Sequence, residues 1–138
     1  MIELLQTAVL DFGLLTGILT RSDVDDHLKE PDSLQFQFEE GVLQISAVAD
    51  DDSVTASLGD PDVGFSTISN KNPWAHLVGG KVTAAWVLEN NYAYQDGVEF
   101  EILLAAGEKF ILRLLVIAST IHASLTSANF VSWDDNDG

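Results

Sequence analysis

Hydrophobic and polar residues alternate along the chain from residue 34 to residue 58. Leu34, Phe36 and Phe38 alternate with glutamines, and the same period of two recurs over 43–49 and 54–58. A period of two is typical of strands that bury one face. The pattern therefore predicts a three-stranded antiparallel meander over 34–58.

Two short turns set the predicted register of this meander. A two-residue turn at 40–41 would pair Phe36 with Ile45, and a four-residue turn would follow at 50–53. All the alternating apolar residues then share one face. The opposite face is polar but uncharged, apart from Val42 and Val48, and carries Gln35, Gln37, Gln44, Ser46, Thr55 and Ser57.

A second series of strands is predicted over 82–125. Apolar residues alternate over 82–88 and 98–104, with a turn around Asp96-Gly97 between them. The run from 110 to 119 is apolar on both faces, which is typical of a central strand, and a short strand follows over 121–125. In the first strand the alternating positions are Val82, Ala84, Trp86 and Leu88. Pairing Leu104 with Phe110 would place Glu101 opposite Arg113 as a cross-strand ion pair.

Two segments have helical features. Asn72 and Pro73 before an apolar stretch, with glycines after it, predict a short helix near 73–79. The first twenty residues are ambiguous, because 4–9 suits a helix face and 14–20 suits a strand. We therefore predict an α+β fold that is mainly antiparallel β. It would have one central sheet of about six to eight strands and the short helix near 73–79, with an N-terminal helix as one of the two alternatives for the first twenty residues.

Composition adds a large negative charge to this picture. The chain has 138 residues, 46% of them hydrophobic, which predicts a single domain over 1–138 with a frayed acidic tail at 134–138. It has 22 acidic and 6 basic side chains, for a net charge of −16. Nucleic-acid binding needs clustered basic residues. The six here are scattered, as Arg21, Lys29, Lys71, Lys81, Lys109 and Arg113.

The acidic residues concentrate in the first half of the chain, where residues 1–62 hold 14 acids and 2 bases. The predicted register gathers them at the two ends of the meander. One end would carry Glu39, Glu40, Asp60 and Asp62. The other end would carry Glu30, Asp32, Asp50, Asp51 and Asp52.

Catalytic and metal-binding motifs are weak. The aspartate clusters do not match the ligand spacing of a calcium-binding EF-hand loop, and the three histidines lie in separate elements. The acids Glu99 and Glu101 share a strand face, but Arg113 offers them a structural partner. We expect no enzyme activity, no metal and no cofactor.

The chain ends and the cysteine content point to a cytoplasmic protein. The first basic residue is Arg21, and Asp11 interrupts the early apolar stretch, so a secretory signal is not expected. The longest apolar run is about half of the ~20 residues that a membrane span requires. The chain has no cysteine, which fits a reducing compartment.

The segment 86–100 is the densest local cluster of aromatic and polar residues. We interpret it as a strand, a polar aromatic loop and a second strand, either an ordered hairpin or a binding site. Asn90 and Asp96 can bond the backbone of the loop, while Tyr92 and Tyr94 can pack over its base. The residues predicted to have structural roles are Trp86, Asn90, Asp96, Gly97, Glu101 and Arg113.

This region carries a family resemblance. Gly80-Lys81, Trp86-x-Leu88-x-Asn90 and Tyr94-x-Asp96-Gly97 follow the upstream Phe38-Glu39-x-Gly41 and Asp50-Asp51-Asp52 turns. Together they resemble an uncharacterised family of small acidic bacterial domains with the pattern W-x-L-x-N-x-x-G-Y-x-D-G, over roughly residues 34–125. Ala93 stands where that pattern has glycine. Domains of this sort occur as immunity proteins beside polymorphic or contact-dependent toxins, and the resemblance implies such a role.

Three functional hypotheses follow. The first is an intracellular inhibitor of a basic, nuclease-type toxin, which would bind through the two acidic ends and the aromatic residues Trp74, Tyr92 and Tyr94. The second is an acidic soluble domain or oligomer subunit whose charge confers only solubility. The third is a small-molecule-binding or catalytic domain that uses the hairpin over 86–100.

Overall fold

A computed structural model describes residues 1–21, 31–48, 50–59 and 64–128. In this part of the chain it contains one α-helix, α1 (Ile2–Asp11), nine β-strands and a short 3-10 helix (Trp74–Leu77). The strands are β1 (Leu15–Arg21), β2 (Ser33–Phe38), β3 (Gly41–Val48), β4 (Ser53–Leu58), β5 (Ser66–Thr67), β6 (Lys81–Glu89), β7 (Gln95–Leu103), β8 (Lys109–Ile117) and β9 (Thr120–Ser127). The acidic tail at 134–138 lies outside the described residues.

The strands form two antiparallel sheets. The first sheet has the order β4-β3-β2-β1-β5, and the second has the order β6-β7-β8-β9. The predicted class, mainly antiparallel β with an N-terminal helix, is confirmed. The expectation of one central sheet was wrong, because each group of strands has one apolar face and the two faces bury each other.

The core lies between the two sheets. Phe36 of the first sheet and Phe100 of the second pack with their ring centroids 5.6 Å apart. Both rings belong to one continuous cluster of buried side chains, which also includes Leu5 and Ala8 of α1. The first twenty residues, which were ambiguous from the sequence, contain both elements: 2–11 form the helix and 15–21 form β1.

The meander register differs from the predicted one by two residues. Glu39 and Glu40 form the β2–β3 turn, so Phe36 lies opposite Leu43 instead of Ile45. A shift of two residues leaves every side chain on the same face, because side chains alternate with a period of two. The uncharged polar face therefore lies where it was predicted, with Gln35 opposite Gln44.

A β-bulge in β6 reverses the predicted face of Trp86. The register between β6 and β7 shifts between Val82 and Ala84, so that Val82 pairs with Ile102 but Trp86 pairs with Glu99. An extra residue in one strand exchanges the faces of all the residues that follow it. Val82 is buried, whereas Trp86 lies on the outer face and is 44% exposed.

The helix predicted near 73–79 is a single 3-10 turn at Trp74–Leu77. Its last residue, Leu77, is fully buried in the core. The predicted turn around Asp96-Gly97 was wrong in position, because both residues belong to β7 and the chain reverses over 90–94. The reversal is therefore centred on Tyr92, four residues before Asp96.

Candidate functional site

Three turns lie at the same end of the two packed sheets. The β3–β4 turn reaches the β8–β9 turn, where Asp52 Oδ1 accepts hydrogen bonds from the Ser119 amide at 2.8 Å and the Ser119 hydroxyl at 3.3 Å. The pairing of Gly97 with Leu115 places the β6–β7 loop beside this same β8–β9 turn. We call the surface formed by Asp50, Asp51, Asp52, Tyr92 and Tyr94 the acidic-aromatic end.

The hydrogen bonds between Asp52 and Ser119 could not be predicted from the sequence. The run up to Ser119 was interpreted as one strand, but Ala118 and Ser119 have φ angles of 52° and 69° and form the β8–β9 turn. Asp52 also has a positive φ, of 53°. Its carboxylate links the two sheets, so Asp52 has a structural role and does not only contribute charge.

Asp50 and Asp51 are the exposed carboxylates of the β3–β4 turn. Asp51 Oδ1 accepts a hydrogen bond from the Ser53 amide at 3.1 Å, which holds its side chain against the turn. No such bond restrains Asp50 among the hydrogen bonds found between described residues. These two carboxylates present the negative charge of the turn to solvent.

The aromatic loop is held by the side chain of Asn90. Its Oδ1 accepts hydrogen bonds from the amides of Tyr92 at 2.9 Å and Tyr94 at 3.2 Å. Its Nδ2 donates to Asp96 Oδ2 at 3.5 Å. The loop is therefore ordered by its own contacts while Tyr92 and Tyr94 remain 76% and 46% exposed. A preformed loop loses less conformational entropy when a partner binds.

Ala93 of this loop has a φ of 65°. A left-handed backbone costs a residue with a Cβ about 1–2 kcal/mol, but glycine tolerates it. We expect Ala93→Gly to raise the free energy of unfolding by about 1 kcal/mol, measured by urea denaturation. The control is Ala106→Gly in the exposed β7–β8 loop, where φ is not positive, and it should lower stability. Equal effects of the two substitutions would contradict the assignment of strain to Ala93.

The other acidic end is built differently. Glu39 and Glu40 lie at the opposite end of the first sheet. Glu39 Oε1 accepts a hydrogen bond from the Leu14 amide at 2.8 Å, so this carboxylate supports the connection between α1 and β1. Their predicted neighbours Asp60 and Asp62 lie outside the described residues, as does Glu30, which was predicted to lie near Asp50.

Trp74 is not brought to the acidic-aromatic end. It is half-buried in the 3-10 helix and lines a cavity of about 210 Å³ beside Leu77, Leu112 and Leu125. Leu112 and Leu125 pair in the half of the β8–β9 hairpin that is farther from its turn. Trp74 therefore contributes to an apolar cavity at the edge of the second sheet.

The predicted Glu101–Arg113 ion pair was wrong, because this register also differs by two residues. Arg113 lies opposite Glu99 and forms the ion pair with that carboxylate. Glu101 lies opposite Ile111, and its Oε1 accepts a hydrogen bond from the Thr83 hydroxyl at 2.7 Å. Glu99 and Glu101 thus have separate structural partners.

Two classes of site are not found among the residues that the structure describes. No group of three or more histidine, aspartate or glutamate side chains there is arranged to hold a metal ion. No helix in these ranges is long and apolar enough to cross a membrane.

The fold and the surface define a domain of two antiparallel sheets with an N-terminal helix, which presents an acidic and aromatic end to solvent. The chain belongs to a family of unknown function, DUF6334, which matches residues 1–129. No curated protein and no solved structure matches the chain.

Proposed function

We propose that this protein binds and inhibits a basic partner protein through its acidic-aromatic end, as an immunity protein neutralises a toxin of the nuclease type. The observation that carries this proposal is that two exposed carboxylates and two exposed tyrosines lie at the same end of the fold. Asp50 and Asp51 supply the charge, and Tyr92 and Tyr94 supply apolar contact area.

The chemistry of such a partner explains this combination. A nuclease presents a positive surface to the phosphates of its substrate, and carboxylates can occupy that surface in their place. The net charge of −16 would steer a basic partner toward the protein and raise the association rate. Exposed tyrosines are frequent anchors of interfaces because they bury a large area with few rotatable bonds. The proposal places this encounter in the cytoplasm.

The acidic-aromatic end is favoured over the Glu39–Glu40 end by two contacts. The Asn90 side chain fixes the tyrosine loop, so a binding partner meets a surface that is already ordered. By contrast, Glu39 uses a carboxylate oxygen to hold the Leu14 amide. The two ends therefore provide a matched comparison within one molecule.

The test is the double substitution Asp50→Asn with Asp51→Asn. Asparagine keeps the acceptor oxygen at position 51 and leaves Asp52, which joins the sheets, unchanged. We expect the association rate with the basic partner domain to fall about tenfold at low salt, and protection against its toxicity to fall with it. The measurement is stopped-flow binding over a range of salt concentrations, with a basic nuclease-type toxin domain as the partner.

The control is Glu39→Gln with Glu40→Gln, which removes the same charge from the opposite end. It should reduce the association rate only through the change in net charge, and therefore much less. If the two double variants reduced the association rate equally, the role assigned to the acidic-aromatic end would be wrong. A native protein that does not bind the basic domain at any salt concentration would contradict the proposed function itself.

A further inference from the structure

The outer face of the second sheet carries a row of four residues, one from each strand. Trp86 of β6 lies opposite Glu99 of β7, which lies opposite Arg113 of β8, which lies opposite Ser124 of β9. The row therefore has a large aromatic side chain at one edge and a small hydroxyl side chain at the other. Between them lies the Glu99–Arg113 ion pair.

The small end of this row opens into a hollow. A cavity of about 320 Å³ lies on the outer face over β7, β8 and β9. Its lining includes Glu99, Arg113, Ser124 and Thr126. At the opposite edge Trp86 is 44% exposed, so one sheet face presents both a projecting ring and a hollow of a size that can receive one.

The charge of this face differs from that of the rest of the chain. The protein carries −16 overall, but the outward-facing charges of β6, β7 and β8 within this sheet include three bases, Lys81, Lys109 and Arg113. The acids at outward-facing positions of the same strands are Glu89, Glu99 and Glu101. A basic partner would meet no excess of negative charge here. A face with nearly equal numbers of acidic and basic side chains can contact the same face of a second copy without strong repulsion.

We propose that the outer face of the second sheet is a homodimer interface, related by a two-fold axis that runs along the strands between β7 and β8. This axis reverses the order of the row, so that Trp86 of each copy enters the hollow at Ser124 of the other. The same operation places Glu99 of each copy against Arg113 of the other, and the apolar Leu115 against Gly97. A closed two-fold contact requires a self-complementary surface. When the row of one copy faces the reversed row of the other, a large side chain lies against a small one and a negative side chain lies against a positive one.

This dimer is independent of the proposed function. The acidic-aromatic end lies at the ends of the strands and stays uncovered, and an axis along the strands points both such ends in the same direction. Two copies of −16 charge repel each other, so salt should strengthen the dimer. Binding to a basic partner should weaken in salt, which separates the two proposals experimentally.

The experiment is sedimentation equilibrium of the full chain over a range of protein and salt concentrations. We expect a mass of 30.0 kDa, twice that of the 15.0 kDa chain, with association increasing as salt rises. Trp86→Ser should weaken dimerisation by at least about 30-fold, because it removes the aromatic ring that fills the hollow of the other copy. Ser124→Trp fills the hollow and should weaken dimerisation to a similar extent.

The reciprocal exchange is the sharpest test of the geometry. The double variant Trp86→Ser with Ser124→Trp moves the ring to β9 and the small side chain to β6, so it should recover dimerisation. Tyr92→Ser removes an exposed aromatic residue outside the interface and should leave the dimer unchanged. Far-UV circular dichroism and urea midpoints of each variant would establish that it is folded.

Three results would overturn the proposal. One is a mass of 15.0 kDa for the native chain at every protein and salt concentration reached. Another is a native-like dimer in the folded Trp86→Ser variant, which would place the interface elsewhere. The third is a double exchange variant that stays as monomeric as the single variants, which would refute the axis along the strands.

Discussion

Phe100→Ala is expected to lower the free energy of unfolding by about 3–5 kcal/mol, the range typical of a buried phenylalanine cut back to alanine. Phe100 is 3% exposed and lies at the centre of the core, with Ala85 and Leu112 as its cross-strand neighbours. Its ring packs against Phe36 of the other sheet. Removing the ring leaves a cavity in the buried interface between the two sheets. The substitution therefore destabilises both sheets together.

The measurement is urea denaturation followed by far-UV circular dichroism and by tryptophan fluorescence. Both signals should shift together, because one core serves both sheets and the chain should unfold in one transition. The control is Tyr92→Ala, at a loop position that is 76% exposed, where the change should stay within about 0.5 kcal/mol. Separate transitions for the two signals, or a loss below about 1 kcal/mol, would contradict a shared core.

Gly97→Ala is the second substitution with a large expected effect, a loss of about 3 kcal/mol at the upper end of the range for overpacking. A Cβ at this position would lie 2.6 Å from Leu115 Cδ2 and 2.8 Å from the backbone oxygen of Leu114. A side-chain terminus can rotate away, but a backbone oxygen of the paired strand β8, on the side that faces β7, cannot. The glycine is required by this close approach and not by a left-handed backbone.

Gly17→Ala is the matched control, because Gly17 also lies within a strand and its φ is not positive. There the nearest atom to an added Cβ is the terminal oxygen of Gln37, at 3.1 Å, which can rotate away. We expect a change within about 0.5 kcal/mol. Equal losses for the two variants, measured by the same urea titration, would show that the cost is not specific to Gly97.

The acidic-aromatic end and the outer face of the second sheet differ in their chemistry. The acidic-aromatic end combines exposed carboxylates with a loop that Asn90 orders. The outer face of the second sheet is close to neutral and carries Trp86. The two surfaces share no residue.

The register errors show what periodicity can and cannot determine. Phe36 was placed opposite Ile45 and lies opposite Leu43, and Arg113 was placed opposite Glu101 and lies opposite Glu99. Both errors are shifts of two residues. An alternating pattern looks the same after such a shift, so it determines which face a side chain occupies but not its neighbour on the next strand.

The error at Trp86 has another cause. A bulge adds one residue to a strand, and an apolar residue at an outward position looks the same in sequence as one facing the core. Only the pairing with β7 shows that the face changes after Val82. The alternation of Val82, Ala84, Trp86 and Leu88 therefore did not reveal that Trp86 is available at the surface.

By itself, the sequence determined the β class, the identity of the buried and polar faces of the meander, and the concentration of acid in its turns. These properties depend on local alternation and on composition. It also singled out Asp50, Asp51, Tyr92 and Tyr94 as candidates, because charged turns and aromatic loops are visible one segment at a time.

Only the tertiary structure decided that the strands form two sheets and that the carboxylates and tyrosines share one end. Asp52 and Ser119 are 67 residues apart in sequence, and their hydrogen bond exists only because the two apolar faces pack against each other. The same packing leaves Trp86 on the outside of the second sheet. Contacts between distant segments depend on how whole faces are buried, and no local pattern records that choice.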